Sequence, residues 1–331
     1  MTTALITGAA GQDGVLLARE LVSLGYRVVG GVRPGTGQAA LLANVAPGVE
    51  PLDLDITDEE SVDRALGDVL PDEVYHLAGV SSVGASWREP VRTMQVNAVG
   101  TAVVLERARR SSSGPAGDNG PRVVLACSGE VFDSDAGVAS EETPFRPTSP
   151  YAVSKAACWQ LGRTYRDAYG MHVSTAILFS HESPLRDPAF VTRTITKGVA
   201  ELAIGRRQRL TLGNLDVVRD WGWAPDYVHA LRLMAAQPDP GDYVVATGEA
   251  HGLSDLLRVA FDHAGLGDWR AYVDVDDSRL RPADPPVLIG DASRAREDLG
   301  WAPTRTFDEM VSSMVDHDLA LIRDPSATWF V

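Results

Sequence analysis

Acidic residues are missing from one stretch where they would be informative. Between Leu21 and Val49 there is no Asp or Glu. Cysteine is nearly absent, with two in 331 residues, Cys127 and Cys158. Two thiols cannot build a disulfide framework, and their spacing matches no metal-ligand pattern, so two reduced core thiols are expected. No apolar run reaches about 18 residues, which excludes a transmembrane helix. No basic region precedes the apolar residues of Met1–Gly8, so a secretory signal is not expected and a cytoplasmic location is. Excess positive charge is lacking too: the formal net charge is −15. That argues against nucleic acid or an anionic membrane as partner. A phosphate-bearing ligand would then need a local arginine cluster.

What remains is ordinary for a globular enzyme, with 44% hydrophobic and 23% charged residues. Ala4–Thr7 reads as a short strand entering Gly8-Ala9-Ala10-Gly11-Gln12-Asp13-Gly14. An apolar-periodic helix follows and stops near Gly25, and Arg27–Val32 is a second strand. Strand, glycine turn, helix and strand make a βαβ unit and predict a parallel sheet. The alternation continues with strands at about 49–54, 73–77, 122–127 and 173–179. Helices are expected at about 58–70, 89–110 and 151–169. The expected fold class is α/β, a doubly wound parallel sheet with a smaller mixed substrate lobe. Residues 1–180 form the first domain, about 220–250 return to it, and 181–331 form mainly the second. Trp223 to Ala236 reads as a core helix of that return. Residues 111–120 read as a surface loop, and Trp329 and Phe330 could pack on the body or on a neighbour.

The spacing Gly8-x-x-Gly11-x-x-Gly14, set between a strand and a helix, lets the backbone approach a pyrophosphate at a helix N-terminus. An NAD site needs an acid at the end of the second strand, and none is present. Arg33 stands there instead, where a 2′-phosphate would lie, so NADP is expected over NAD. Asp55 and Ile56 are placed for the adenine, and Leu77, Ala78 and Gly79 for a turn along the cofactor.

The chemistry is expected in two segments, Ala126-Cys127-Ser128-Gly129-Glu130 and Ser149-Pro150-Tyr151-Ala152-Val153-Ser154-Lys155. Ser149 can cap a helix with Pro150 in its first turn. Tyr151 and Lys155 then share one face. An ammonium and an oxidised nicotinamide both favour the phenolate, lowering a pKa that is normally about 10. Ser128, at a strand end, can bond a sugar hydroxyl. Glu130, two residues on, can reach the same ring.

These stretches resemble the extended short-chain dehydrogenase/reductases and, more closely, the GDP-mannose 4,6-dehydratases. Further matching segments are Thr143–Phe145, His181–Pro184, Phe190–Arg193, Leu212–Asp216, Arg219–Gly222, Ala246–Glu249 and Arg281-Pro282. The resemblance implies NADP-dependent conversion of a GDP-sugar to its 4-keto-6-deoxy form. Tyr151 takes the C4 hydroxyl proton during oxidation, Glu130 removes the C5 proton as water leaves from C6, and hydride returns to C6. It also implies cofactor contacts from Gln12, Asp13, His181 and Arg193. Substrate contacts fall to Ser86, Ser180, Glu182, Val191, Asn214, Arg219, Arg281 and Asp284, with Arg219 and Arg281 on the diphosphate. No metal is implied. A homodimer through the helices at about 89–110 and 151–169, or a homotetramer, is implied as in relatives.

The chain departs from the family pattern at Gly129, where a hydroxyl is usual, and at Asp133, Thr148, Ser180, Thr194 and Trp223. The loop after Arg33 is short. Three alternatives share the fold. A dehydratase of another GDP-sugar fits the same motif. A GDP-keto-sugar reductase or 4-epimerase would need no C5 base, and a silent NADP-binding protein would not need the intact Ser128, Tyr151 and Lys155.

Overall fold

A computed structural model describes residues 1–111, 120–279, 281–283 and 285–324. Its central element is a parallel sheet of seven strands. These are β1 (Thr3–Thr7), β2 (Arg27–Val32), β3 (Val49–Asp53), β4 (Glu73–His76), β5 (Arg122–Ser128), β6 (Val173–Leu178) and β7 (Asp242–Val245). Their order is β7-β6-β5-β4-β1-β2-β3. The order reverses between β1 and β4, and ligands of open α/β sheets bind at such a switch point, outside the carboxyl ends of the strands.

The inner strands are mostly buried because both faces are covered, whereas the edge strand β3 exposes Glu50, Pro51 and Asp53. One face packs Leu16, Leu17, Leu21, Tyr227 and Leu231, and the other Val62, Leu66, Val104 and Leu105. The expected doubly wound class is what the chain adopts. The Ala224–Ala236 helix packs against the Gln12–Ser23 helix, and β7 pairs with β6 at the sheet edge.

A smaller, mixed lobe has its own core of Ile195, Val199, Leu210, Trp221, Leu256, Phe261, Phe307 and Met310. Its largest sheet joins His251–Gly252, Val218–Arg219, Val287–Gly290 and Val138–Ala139. Val218–Arg219 pairs antiparallel with the first of these and parallel with the third.

Two elements differ from expectation. Gln38–Val45 is a helix that the short loop after Arg33 did not announce. It has no capping side chain and buries only Leu42 and Val45, so its pattern is too weak to read. The helix expected over 89–110 starts at Pro90 but passes through a π-turn at Gln95–Val99. There the Thr101 hydroxyl donates to Asn97 O at 2.6 Å, and the Asn97 side chain turns inward to bind elsewhere. Such π-turns often sit at functional sites. Among the described residues no helix is long and apolar enough to cross a membrane. The loop expected at 111–120 lies, from residue 112 to 119, outside the described residues, as do Asp284 and the two aromatics near the C-terminus.

Candidate active site

At the carboxyl end of β1 the chain turns through Gly8 at φ +71°. A Cβ on Gly14 would lie 2.5 Å from Gly8 O, and one on Gly8 would lie 2.8 Å from the Ala78 backbone. Only hydrogen fits at either position. Gly11 caps the helix without a side-chain bond, leaving its first N–H groups facing outward. This cradle fits the pyrophosphate of a dinucleotide.

Beside it, half-buried Asp13 pairs with buried His181, with His181 Nε2 3.0 Å from Asp13 Oδ2. Gln12 donates to His181 O at 3.1 Å and accepts from the Ser183 hydroxyl at 2.9 Å. His181 stacks on Tyr227, with ring centroids 4.6 Å apart. These bonds fasten the glycine turn to the segment after β6. Burial alone would raise the Asp13 carboxyl, but the His181 charge and the bonds from His181 and Gln12 outweigh it and bring Asp13 to about 2. Burial likewise works against the His181 charge, and Asp13 overcomes it, so His181 is raised.

Asp13 stabilises the fold above its unfolded value of about 4 and loses that contribution as pH falls toward its folded one. His181 contributes fully below its unfolded value of about 6.5 and loses its contribution as pH rises through its raised folded one. Asp13→Asn is therefore expected to lower Tm most between about pH 4 and 6.5. The gap to the unmodified protein should narrow at higher pH. Thermal melts across pH check this, and a gap that widens above neutrality would refute it.

Arg33 follows β2 and is exposed; its backbone N–H meets Gln38 Oε1 at 3.4 Å and its carbonyl accepts from the Thr36 hydroxyl at 2.7 Å. Asp55 accepts from the Thr57 N–H and hydroxyl at 2.9 and 2.7 Å, and Ile56 is buried. Ala78 N–H donates to the Thr7 hydroxyl at 3.1 Å. Gly79 lies over Lys155: a Cβ there would be 3.7 Å from Nζ.

Across this turn stands the cluster expected from sequence. Ser149 caps the Pro150–Tyr169 helix by accepting the Ala152 N–H at 3.1 Å. That start sets Tyr151 and Lys155 on one buried face. Tyr151 lies near enough to Ser128 for the serine hydroxyl to favour its ionised form, and Lys155 Nζ donates to Ala126 O at 2.8 Å. The protein's own groups leave Tyr151 raised, although Lys155 pulls it down as expected. Burial pushes it up by more than the Lys155 charge and the Ser128 hydroxyl pull it down. Burial works against the Lys155 ammonium, yet its neighbours, Tyr151 first, hold it above its usual value. Cys127 is pushed up to about 12 by burial and is no nucleophile at neutral pH.

Behind the cluster lies a polar chain that sequence reasoning missed. Asn97 Nδ2 donates to Ser154 Oγ at 2.9 Å and to Val80 O at 3.0 Å, while Oδ1 accepts the Val80 N–H at 2.7 Å. His76 bridges the Thr7 and Thr101 hydroxyls at 2.9 and 3.1 Å. Burial first, then the Lys155 charge, push His76 down to about 3, so it is neutral. Asn, a poor helix former in mid-helix, was the one available signal.

Glu130 sits in a short turn, Gly129–Val131, capped by Ser128. It is half-buried, and its Oε1 is 3.9 Å from Arg219 Nε. Gly129 has a local cause: a Cβ would lie 2.9 Å from the Phe179 ring. The structure thus brings Ser128, Glu130, Tyr151, Lys155 and Arg219 to one strand end.

Other expected contacts have protein partners. Ser86 is fully buried and donates to Val83 O at 2.7 Å. Glu182 is buried and accepts from the Thr192 hydroxyl at 2.7 Å. Arg193 is ion-paired with Asp318 and donates to Thr196 at 3.1 Å inside the second lobe. Val191 packs on that lobe's core. Asn214 accepts the Asp216 N–H at 2.9 Å, Ser180 is half-buried, and Arg281 is exposed.

Comparison with known proteins bears on this geometry. The family described as GDP-mannose 4,6 dehydratase matches residues 5–314. The GDP-mannose 4,6 dehydratase 2 of Arabidopsis thaliana is 42% identical over 332 residues, covering 97% of this chain and 87% of that one. The GDP-mannose 4,6-dehydratase of Vibrio cholerae is 36% identical over 351 residues, covering 96% and 93%. Among solved structures, the Thermus thermophilus UDP-glucose 4-epimerase in complex with NAD superposes with a TM-score of 0.83 at 27% identity, covering 96% and 99%.

Proposed function

The chain belongs to the GDP-mannose 4,6-dehydratase family and is a hydro-lyase acting on that sugar nucleotide; from this premise we propose which of its residues do the work. Tyr151 takes the proton from the sugar C4 hydroxyl, Ser128 holds that oxygen, and Lys155 supports the phenolate. A bound nicotinamide cofactor, held by Gly8, Gly11, Gly14 and Asp13, would supply the hydride acceptor for C4 and the donor for C6, and its oxidised ring a positive charge that favours the Tyr151 phenolate. The C4 ketone acidifies the C5 hydrogen. Glu130 removes that proton and passes it to the C6 oxygen, which leaves as water. Gly129 offers no hydroxyl, so Glu130 serves as both base and acid. C5 is later reprotonated from solvent.

The observation that carries this reading is the position of Glu130 at the end of β5, its N–H on the Ser128 hydroxyl at 3.3 Å, with Tyr151 near enough for that serine to lower its pKa. A reductase or 4-epimerase would have no use for an acid there. NADP is proposed over NAD, supported by exposed Arg33 after β2 and by the missing acid between Leu21 and Val49. Gly8, Gly11, Gly14 and Asp13 would hold the cofactor. Arg219 and Arg281 would face the substrate diphosphate, for which guanidinium forks are suited. A homodimer is proposed through the helices over 90–111 and 150–169, supported by exposed Val91, Val99, Val153 and Tyr169 on them.

The test is incubation with GDP-mannose and catalytic cofactor in deuterated water, read by mass and NMR. A 4-keto-6-deoxy product with deuterium at C5 and no net NADPH is expected, with NADP supporting turnover better than NAD. Stoichiometric NADPH consumption, or hydrogen retained at C5, would overturn the mechanism. A clear preference for NAD would overturn the role of Arg33 alone.

A further inference from the structure

Glu130 is met by a guanidinium that the proposed reading gives to the substrate diphosphate. Arg219 Nε lies 3.9 Å from Glu130 Oε1, and the two side chains are only 8% and 16% exposed. Arg219 is not a swinging arm. Its Nη1 donates to the carbonyls of Val218 at 3.0 Å and Pro285 at 2.8 Å. The next residue, Asp220, is fully buried and anchored by four donors. It accepts from Thr247 N–H and hydroxyl at 2.9 and 2.6 Å, from Gly248 N–H at 2.8 Å and from Gly290 N–H at 3.3 Å. Backbone from two directions therefore fixes where the guanidinium stands, and its Nε edge turns to Glu130.

We propose that Arg219 is a positioning residue for Glu130, keeping the carboxylate ionised and aimed at sugar C5, beyond any charge it lends the diphosphate. This rests on the reading of Glu130 as the C5 base. A carboxylate this withdrawn from water needs a compensating charge to stay ionised. A base displaced by about 1 Å from its target proton loses about 10²-fold in rate. Following a diphosphate out of this position would cost Arg219 two charge-assisted bonds to carbonyls. Its post beside Glu130 is therefore kept through the reaction.

The test compares Arg219→Lys and Arg219→Met with the unmodified enzyme over GDP-mannose concentrations from well below KM to saturation. Three quantities are read: KM, enzyme-bound NADPH formed in the first turnover, and deuterium entering C5. Lysine keeps the charge but cannot hold the two carbonyls and face Glu130 at once. Arg219→Lys is expected to form bound NADPH while C5 exchange falls by about 10²-fold, whatever happens to KM. If instead NADPH formation and C5 exchange fall together, and both recover at high substrate, Arg219 serves only the diphosphate and the proposal fails. If the unmodified enzyme forms product without C5 exchange, the reading of Glu130 fails first and takes this role with it. Should thermal melts show that the Arg219 variants do not fold, Asp220→Asn, which loosens the same anchor, must give the same split in smaller measure. Its absence there would also overturn the proposal.

Discussion

Glu130→Gln is expected to stop water elimination while sparing the oxidation that precedes it. The loss in kcat should be about 10³-fold, in the range for removing a positioned general base. Gln keeps the size of the side chain and can still face Arg219, so folding and substrate affinity should change little. What it cannot do is accept the C5 proton or return it to the C6 oxygen. With Gly129 bare of any hydroxyl, no neighbouring side chain in the Gly129–Val131 turn takes over. Reduced cofactor should therefore build up on the enzyme and stay there, seen by its absorbance, with hydrogen retained at C5. Loss of oxidation and elimination to the same degree would mean that Glu130 only shapes the site.

Tyr151→Phe is expected to fail earlier. No reduced cofactor should appear, and kcat should fall by about 10³-fold to 10⁴-fold. The phenol hydroxyl lies near Ser128 in a buried site that resists its ionisation. Phe removes the one group able to take the C4 hydroxyl proton and leaves Ser128 with no base to relay to. Because Tyr151 is held above its ordinary value by burial, much of its activation must come with the bound cofactor. Proton release from Tyr151 and cofactor binding should thus be linked, and a stopped-flow comparison of proton release with and without oxidised cofactor measures that link. A variant that still reduces cofactor at near-normal rate would remove Tyr151 from the chemistry.

The parts of the site that could be read from sequence are those whose logic is local. The Gly8–Gly14 turn, the Ser149–Pro150 helix start and the Tyr151–Lys155 spacing each depend on residues within a few positions of one another. So does Glu130 after Ser128. The parts that could not be read depend on partners far along the chain. Thr7 meets His76, and His76 meets Thr101, only because β1 and β4 are neighbours and the π-turn brings Thr101 down onto them. Arg193 finds Asp318 through packing of the Val191–Ala203 and Phe307–Arg323 helices. Gly129 looked like a lost hydroxyl in the sequence; in three dimensions it is the space that the Phe179 ring requires. The fold class, by contrast, was legible throughout, since it rests on alternating buried strands and amphipathic helices rather than on any single contact.

The placement of β7 carries a consequence for how the chain is made. A ribosome delivers β1 to β6 first, then much of the second lobe, and only then Asp242–Val245. Until that strand emerges, β6 presents an open row of peptide groups along the sheet's margin, a template for pairing with another chain. The nascent protein therefore passes through an interval in which its first lobe is hydrophobically assembled but unfenced. Truncations ending between β6 and β7 should aggregate more readily than the full chain.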